Sequence, residues 1–327
     1  MRLAAAAAAC LALAVAPLWA QDGDPQEPAG GGAAATTGVP EGSPGGQTAR
    51  PPAPPRFVYK LGQSIRTAAV PHIDGGGDAV TTLTRTDFTL TWLASQRTRA
   101  IFDASNEFAF YDFDGASKVD PVAGDPFGSF TRQNLDVLVS HNLTRRWVVL
   151  GVGGVGLSRE RNADVGDAVV WRAGLGATYY LTERISLGAS LLVQSQLEGG
   201  VEVLPLPQVD ATFRFDEQWS LKLATIGGAT LAYQATEELG FNLKLGYQER
   251  QYRLDDEGLA PRGVFQDKSV DLNLGVSWQP TPGLEVTAGV GSQLWRRFKI
   301  KDEDGGRVSR SETDPTLMLH AGLSYRF

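Results

Sequence analysis

The sequence predicts an all-β protein, an antiparallel transmembrane up-and-down β-barrel of about fourteen strands. Three observations predict it. From Phe57 onward apolar and polar residues alternate with period two, over stretches of about ten residues, the length of a tilted strand crossing a membrane. Short turns and long polar connections alternate between those stretches. The chain also ends on an amphipathic stretch whose last residue is Phe327.

The alternation is clearest where Val80, Thr82, Thr84, Thr86, Phe88, Leu90 and Trp92 interleave with Arg85, Asp87, Thr89 and Thr91. It recurs in Leu239, Phe241, Leu243, Leu245 and Tyr247 against Asn242, Lys244 and Gln248. A third case sets Val270, Leu272, Leu274, Val276 and Trp278 against Asp271, Asn273 and Ser277. The strands fall near 57–66, 79–94, 99–112, 131–142, 146–158, 168–180, 184–197, 207–215, 219–226, 229–235, 239–252, 266–279, 284–299 and 313–327. The segments between 207 and 235 are short, so twelve strands is the alternative count.

Short turns at Gln96-Arg97-Thr98, Leu143-Thr144-Arg145, Leu181-Thr182-Glu183, Asp216-Glu217-Gln218, Ala235-Thr236-Glu237 and Thr281-Pro282-Gly283 mark one rim. Longer connections around 67–78, 114–130, 159–167, 198–206, 251–265 and 301–312 mark the other. This is the arrangement of periplasmic turns and extracellular loops, with Gly227-Gly228 as a tight exception on the outer side. Trp92, Trp147, Tyr179, Trp219, Trp278 and Tyr325 lie near the short-turn rim, where interfacial aromatics are favoured. A soluble β-sandwich also alternates, but strands of this length exceed its usual five or six residues.

Composition narrows the function classes. A mean hydropathy of −0.16 resembles that of a water-soluble protein, yet a barrel averages lipid-facing and lumen-facing residues to near zero. A net charge of −7 disfavours nucleic acid, which needs a basic surface. The single cysteine, Cys10, provides no disulfide framework. His72, His141 and His320 are too scattered for a metal site, so no metal, cofactor or catalytic role is expected.

Two segments precede the barrel, which is expected over 56–327. Residues 1–20 combine Arg2, an apolar core over Leu3–Val15 and a small residue at Ala20, the pattern of a signal peptide cleaved near Ala20. An uncleaved anchor is disfavoured by alanine-rich composition and by Pro17. Residues 21–55 are rich in Gly, Pro, Ala and Thr and read as a disordered periplasmic tail, a spacer or a docking peptide.

On the final stretch Leu319, Ala321, Leu323, Tyr325 and Phe327 share one face. His320, Gly322, Tyr325 and Phe327 resemble the C-terminal assembly signal of Gram-negative outer-membrane barrels: a polar residue, then glycine, an aromatic and a terminal aromatic. The resemblance implies an outer-membrane location and recognition by the barrel-assembly machinery. Over roughly 200–327, Leu204-Pro205-Leu206-Pro207, Trp219-Ser220-Leu221-Lys222-Leu223, Gln251-Tyr252-Arg253-Leu254 and Leu323-Ser324-Tyr325-Arg326-Phe327 look like uncharacterised porin-like outer-membrane families. That likeness implies no catalytic residues.

With the apolar face against lipid, the lumen would be lined by Arg85, Asp87, Asp103, Glu107, Asp136, Arg172, Asp210, Arg214, Lys222, Lys244, Asp271, Glu285, His320 and Arg326. Acids and bases nearly balance, and no ring of one sign marks a strongly selective pore. The expectation is a weakly selective, porin-like channel for small solutes. The alternative is a structural or surface-binding barrel whose paired charges block the lumen. The acidic runs Asp302-Glu303-Asp304 and Asp255-Asp256-Glu257 lack the ligand spacing of a calcium loop and read as solvated charge.

Overall fold

The computed structural model describes residues 56–70, 72–74, 76–115, 127, 129–225 and 228–327. The expected signal peptide and Pro/Gly-rich tail lie outside the described residues. The strands are β1 (Arg56–Val70), β2 (Asp78–Leu93), β3 (Thr98–Asp114), β4 (Ser129–Asn142), β5 (Trp147–Glu160), β6 (Val169–Tyr180), β7 (Ile185–Ser195) and β8 (Val201–Arg214). They continue with β9 (Trp219–Ala224), β10 (Gly228–Gln234), β11 (Leu239–Arg253), β12 (Val264–Thr281), β13 (Leu284–Lys301), β14 (Arg307–Thr313) and β15 (Thr316–Arg326).

Each strand up to β14 pairs antiparallel with the strand before it in the chain, and β15 pairs with β13 and with β1, the latter from Lys60↔Arg326 to Ala68↔Met318, closing the barrel. β13 carries β14 along its upper half and β15 along its lower half. These two segments therefore form one stave interrupted at Asp314-Pro315, and the barrel has fourteen staves rather than twelve. Closure leaves the central ladder without an edge, the condition for a sheet to cross lipid. Outside the barrel, Leu175, Leu191, Val209, Phe241, Leu274, Leu319 and Leu323 are exposed, forming an apolar surface suited to lipid. The aromatics Trp92, Trp147, Trp219, Trp278 and Tyr325 are exposed near the short turns.

Three expected connections are partly strand. β1 runs on to Val70, and β14 occupies Arg307–Thr313 inside the expected loop 301–312. The expected loop 198–206 shrinks to the Gln196–Gly200 turn, because β8 starts at Val201 and carries Pro205 and Pro207 within it. Proline survives there because it has no N–H to leave unpaired. Val209 exchanges both its backbone groups with Thr225 on the β9 side. Pro205 and Pro207 have the same parity, and above Val209 the described residues place no strand beside that edge.

The edge exists because β9 has six residues and β10 seven, whereas β8 has fourteen and β11 fifteen. The β9–β10 hairpin stops halfway up the wall. Above it, β11 leaves β10 and turns to β5: Arg253 pairs in parallel with Arg159, the Ser158 hydroxyl donates to the Gln251 carbonyl, and Asp255 N–H donates to Glu160 Oε2 at 3.1 Å. The Ile73↔Thr313 bridge ties the loop after β1 to β14. The wall thus has two tiers, fourteen staves below and a smaller ring of β1–β5 and β11–β14 above.

The smaller ring is filled. Tyr111, Phe130, Tyr252, Phe265 and Phe298 are almost wholly buried, with Phe130–Phe265 centroids 5.5 Å apart and Tyr111 edge-on to both. Phe113 and the loop residues Ile73, Phe127 and Leu254 belong to the same cluster. Replacing Phe265 by alanine removes its central ring and is expected to cost about 3–5 kcal/mol. Urea unfolding, followed by the gel shift between folded and boiled protein, measures it; a variant as stable as wild type would show that the cluster carries no load.

Candidate functional site

The residues inside the barrel fall into two zones that follow from the two tiers. All fourteen residues assigned to the lumen from sequence lie on strands, with side chains on the parity opposite the exposed apolar residues. Glu107 and Asp271 belong to the upper zone, beneath the aromatic cluster. There Arg296 Nε and Nη2 donate to the two oxygens of Asp267 at 2.9 and 2.8 Å, and Nη1 and Nη2 also reach Gln293 and Thr81. The Tyr111 hydroxyl donates to Asp267 at 2.8 Å, and the Tyr252 hydroxyl to Glu107 at 3.2 Å.

Arg250 Nε donates to Glu107 at 3.1 Å, linking β11 to β3 across the barrel. Arg66 Nη1 donates to Asp271 at 2.8 Å and to Gln248 at 3.1 Å, and Arg250 Nη2 to Gln248 at 2.8 Å. Arg296 is 1% exposed and its guanidinium stands 4.6 Å from the Phe298 ring centre. Every buried charge here has an opposite charge and further hydrogen bonds, the arrangement that makes burial of ions tolerable. The result is a crossbraced layer with an aromatic lid above it.

The side chains of the lower zone are more exposed. Arg85 and Asp87 pair at 2.7 Å with both side chains 40% exposed, and Lys60 faces Glu285 at 3.8 Å. The Thr89 hydroxyl donates to Asp103 at 2.6 Å, and Arg172 grips Asp136 through two hydrogen bonds. Asp210 and Lys222 stand on the neighbouring strands β8 and β9, and Lys244 on β11. Arg214 and Arg326 are exposed at the short-turn rim. His320 lies on β15 without a described partner for Nδ1, and Ser324 donates to Glu285 at 3.1 Å. His320 and Ser324 therefore form no hydroxyl–imidazole pair.

One stretch of the inner wall is apolar. Ile101, Leu138, Leu150, Val152, Leu192, Leu204 and Leu206 form a buried stripe from β3 to the free edge of β8. It is continuous because β6 contributes Gly174 and Gly176: a Cβ on Gly174 would meet Val152 at 3.1 Å and Leu192 at 3.2 Å. A Cβ on Gly176 would meet Leu150 at 3.2 Å.

Sequence reading did not single out Lys60, Arg66, Arg250, Asp267 or Arg296. Two of them share parity with residues it did place on the same strand, Arg250 with Lys244 and Asp267 with Asp271, whereas Lys60 and Arg66 lie on β1, where it placed none. Arg296 is different. A register shift on β13, where Val270 faces Trp295 but Asp271 faces Gln293, turns the strand over between Gln293 and Arg296.

Of the expected assembly signal, His320 and Gly322 lie on the inner face and Tyr325 and Phe327 on the outer, their rings 4.6 Å apart. Phe327 N–H donates to the Tyr59 carbonyl, fastening the last residue to β1. Outside the membrane-spanning part, Arg262 donates to Asp167 at 2.8 Å and holds that carboxyl below the usual carboxylate range. Among the described residues no group of three or more His, Cys, Asp or Glu side chains could hold a metal ion.

Residues 130–326 match a family described as "Domain of unknown function (DUF6268)". No curated protein matches the sequence. Among solved structures, the COG4313 outer membrane channel from Pseudomonas putida F1 aligns with 88% of this chain and 100% of its own, at 11% identity and a TM-score of 0.43. The P. putida toluene transporter TodX aligns with 83% and 90%, at 11% identity and 0.42. The translocator domain of autotransporter NalP from Neisseria meningitidis aligns with 83% and 88%, at 9% and 0.35.

The brace makes a direct prediction. Asp267→Asn leaves Arg296 buried without its counter-charge and is expected to destabilise the protein by about 3–5 kcal/mol. The double change Asp267→Leu with Arg296→Met should recover most of that loss. Unfolding midpoints of the three proteins in urea measure both effects; a double variant no better than the single one would argue against a charge-based penalty.

Proposed function

We propose that this chain, which belongs to the family described as "Domain of unknown function (DUF6268)", is a porin-like passage for small solutes that rests in a closed state. The observation that carries the reading is the lower lumen. It is lined by half-exposed side chains of both signs, Lys60, Arg85, Asp87 and Glu285 among them, and ends beneath a plug made of side chains and loop residues. Mixed charge in a wet vestibule favours small polar solutes without strong preference for one sign.

The plug favours a second reading, a structural or surface-binding barrel with a permanently occluded lumen. Buried, fully paired charges such as Arg296–Asp267 are costly to part, because a separated partner is left uncompensated. The two readings differ in whether the plug can yield.

Single-channel recording in planar bilayers separates them. Wild type should be closed most of the time with rare small openings, and the Phe130→Ala, Phe265→Ala double variant should show frequent, larger open steps. Retained heat-modifiable migration establishes that the variant is folded. A folded double variant that stays silent, with wild type silent too, would reject the passage and leave the occluded barrel.

A further inference from the structure

Where β11 meets β5, the upper ring presents a set of buried donors without acceptors. Arg253 is 7% exposed, and its Nε and Nη1 have no hydrogen-bond partner among the described residues. Arg159, its partner in the parallel bridge, likewise leaves Nε unpartnered. Gln266, 2% exposed, leaves its amide Nε2 unpartnered. Register brings the three together. Arg253 and Arg159 are directly opposed, and Gln266 pairs with Gln251, two residues from Arg253 on the same face of the sheet.

Two guanidinium groups opposed on one face repel each other, as like charges across a strand pair do. Neither can relieve the repulsion by losing a proton. The acids nearby are shared with other cations. Asp167 lies 4.0 Å from Arg253 Nη2, but the same oxygen takes the hydrogen bond of Arg262 at 2.8 Å. Glu249, on the face of β11 that carries Arg253, is held by Lys268 at 2.9 Å and Gln251 at 2.6 Å. Arg159 Nη1 donates only to the backbone carbonyls of Arg161 and Ala163, which carry no net charge.

We propose that Arg159, Arg253 and Gln266 form a binding site for a phosphate group at the extracellular end of the barrel. A tetrahedral oxyanion supplies acceptors to all four unpartnered nitrogens and negative charge beyond the one carboxylate, Asp167, that Arg253 shares with Arg262, and guanidinium is the side chain best matched to it. Water supplies acceptors without the charge. The phosphate group is that of a lipid headgroup or of the free ion. This site is separate from the lumen and stands or falls independently of the passage proposed above.

The test uses the full chain purified in an uncharged detergent. Inorganic phosphate titrated into wild type by calorimetry should bind saturably, and Arg253→Gln and Arg159→Gln should each weaken binding about tenfold or more, the scale of one lost charge-assisted hydrogen-bond pair. Arg310→Gln, which alters an exposed arginine paired with Glu312, should leave it unchanged. In a second arm, native mass spectrometry measures retention of phosphatidic acid by wild type and Arg253→Gln. A lipid retained by wild type, lost from Arg253→Gln and resistant to displacement by inorganic phosphate identifies the headgroup as the source. Saturable ion binding with no retained lipid identifies the free ion. Absence of both, or equal binding by wild type and folded arginine variants, overturns the site. If Arg253→Gln does not fold, Arg159→Gln decides the outcome.

Discussion

The short β9–β10 hairpin is the constraint from which the upper half of the molecule follows. Every backbone group in a membrane-crossing sheet needs a partner. Since β10 reaches no higher than its first residue, Gly228, β11 above Leu245 has no β10 partner, and its upper end bridges instead to β5 at Arg253. That pairing draws β11 and β12 inward and shrinks the ring. Once the ring is small, side chains from opposite walls meet, and aromatic rings and paired charges can fill the space between them. On the far side of the gap, β8 is left with an edge, where Pro205 and Pro207 remove two N–H groups that would otherwise lack a strand partner.

Much of this was legible in the sequence. Period-two alternation fixes which residues share a face, and a barrel has only two faces, so the mixed-charge inner face follows from pattern, while the short segments between 207 and 235 left the count at fourteen or twelve until the pairing of β8 to β11 was known. The apolar filling was harder to see. Phe108 and Phe110 are exposed on the outer face while Tyr111 and Phe113 are buried on the inner. Hydrophobicity alone does not separate them; only the parity carried up from Asp103 and Glu107 does. Likewise Leu192, Leu204 and Leu206 look like lipid-facing residues until their strands are phased.

Three features could not be read locally. The β13 irregularity that turns Arg296 inward depends on pairing with β12. Proline at 205 and 207 argues for a loop unless the missing neighbour strand is known. The parallel bridge between Arg253 and Arg159 joins segments far apart in the chain, and no turn or spacing signals it. These are consequences of tertiary closure, and they are also where the molecule departs from a plain cylinder.

In the passage proposed above, the lumen is open toward the periplasm and shut at the extracellular end by its own side chains. Site-directed labelling tests it directly, since the described residues contain no cysteine to interfere. A cysteine replacing Asp87, whose side chain lines the lower zone, would be exposed to a polymer-bearing maleimide that cannot cross the outer membrane. The account predicts protection in intact cells and labelling once the membranes are broken open. Equal labelling from outside intact cells would contradict it.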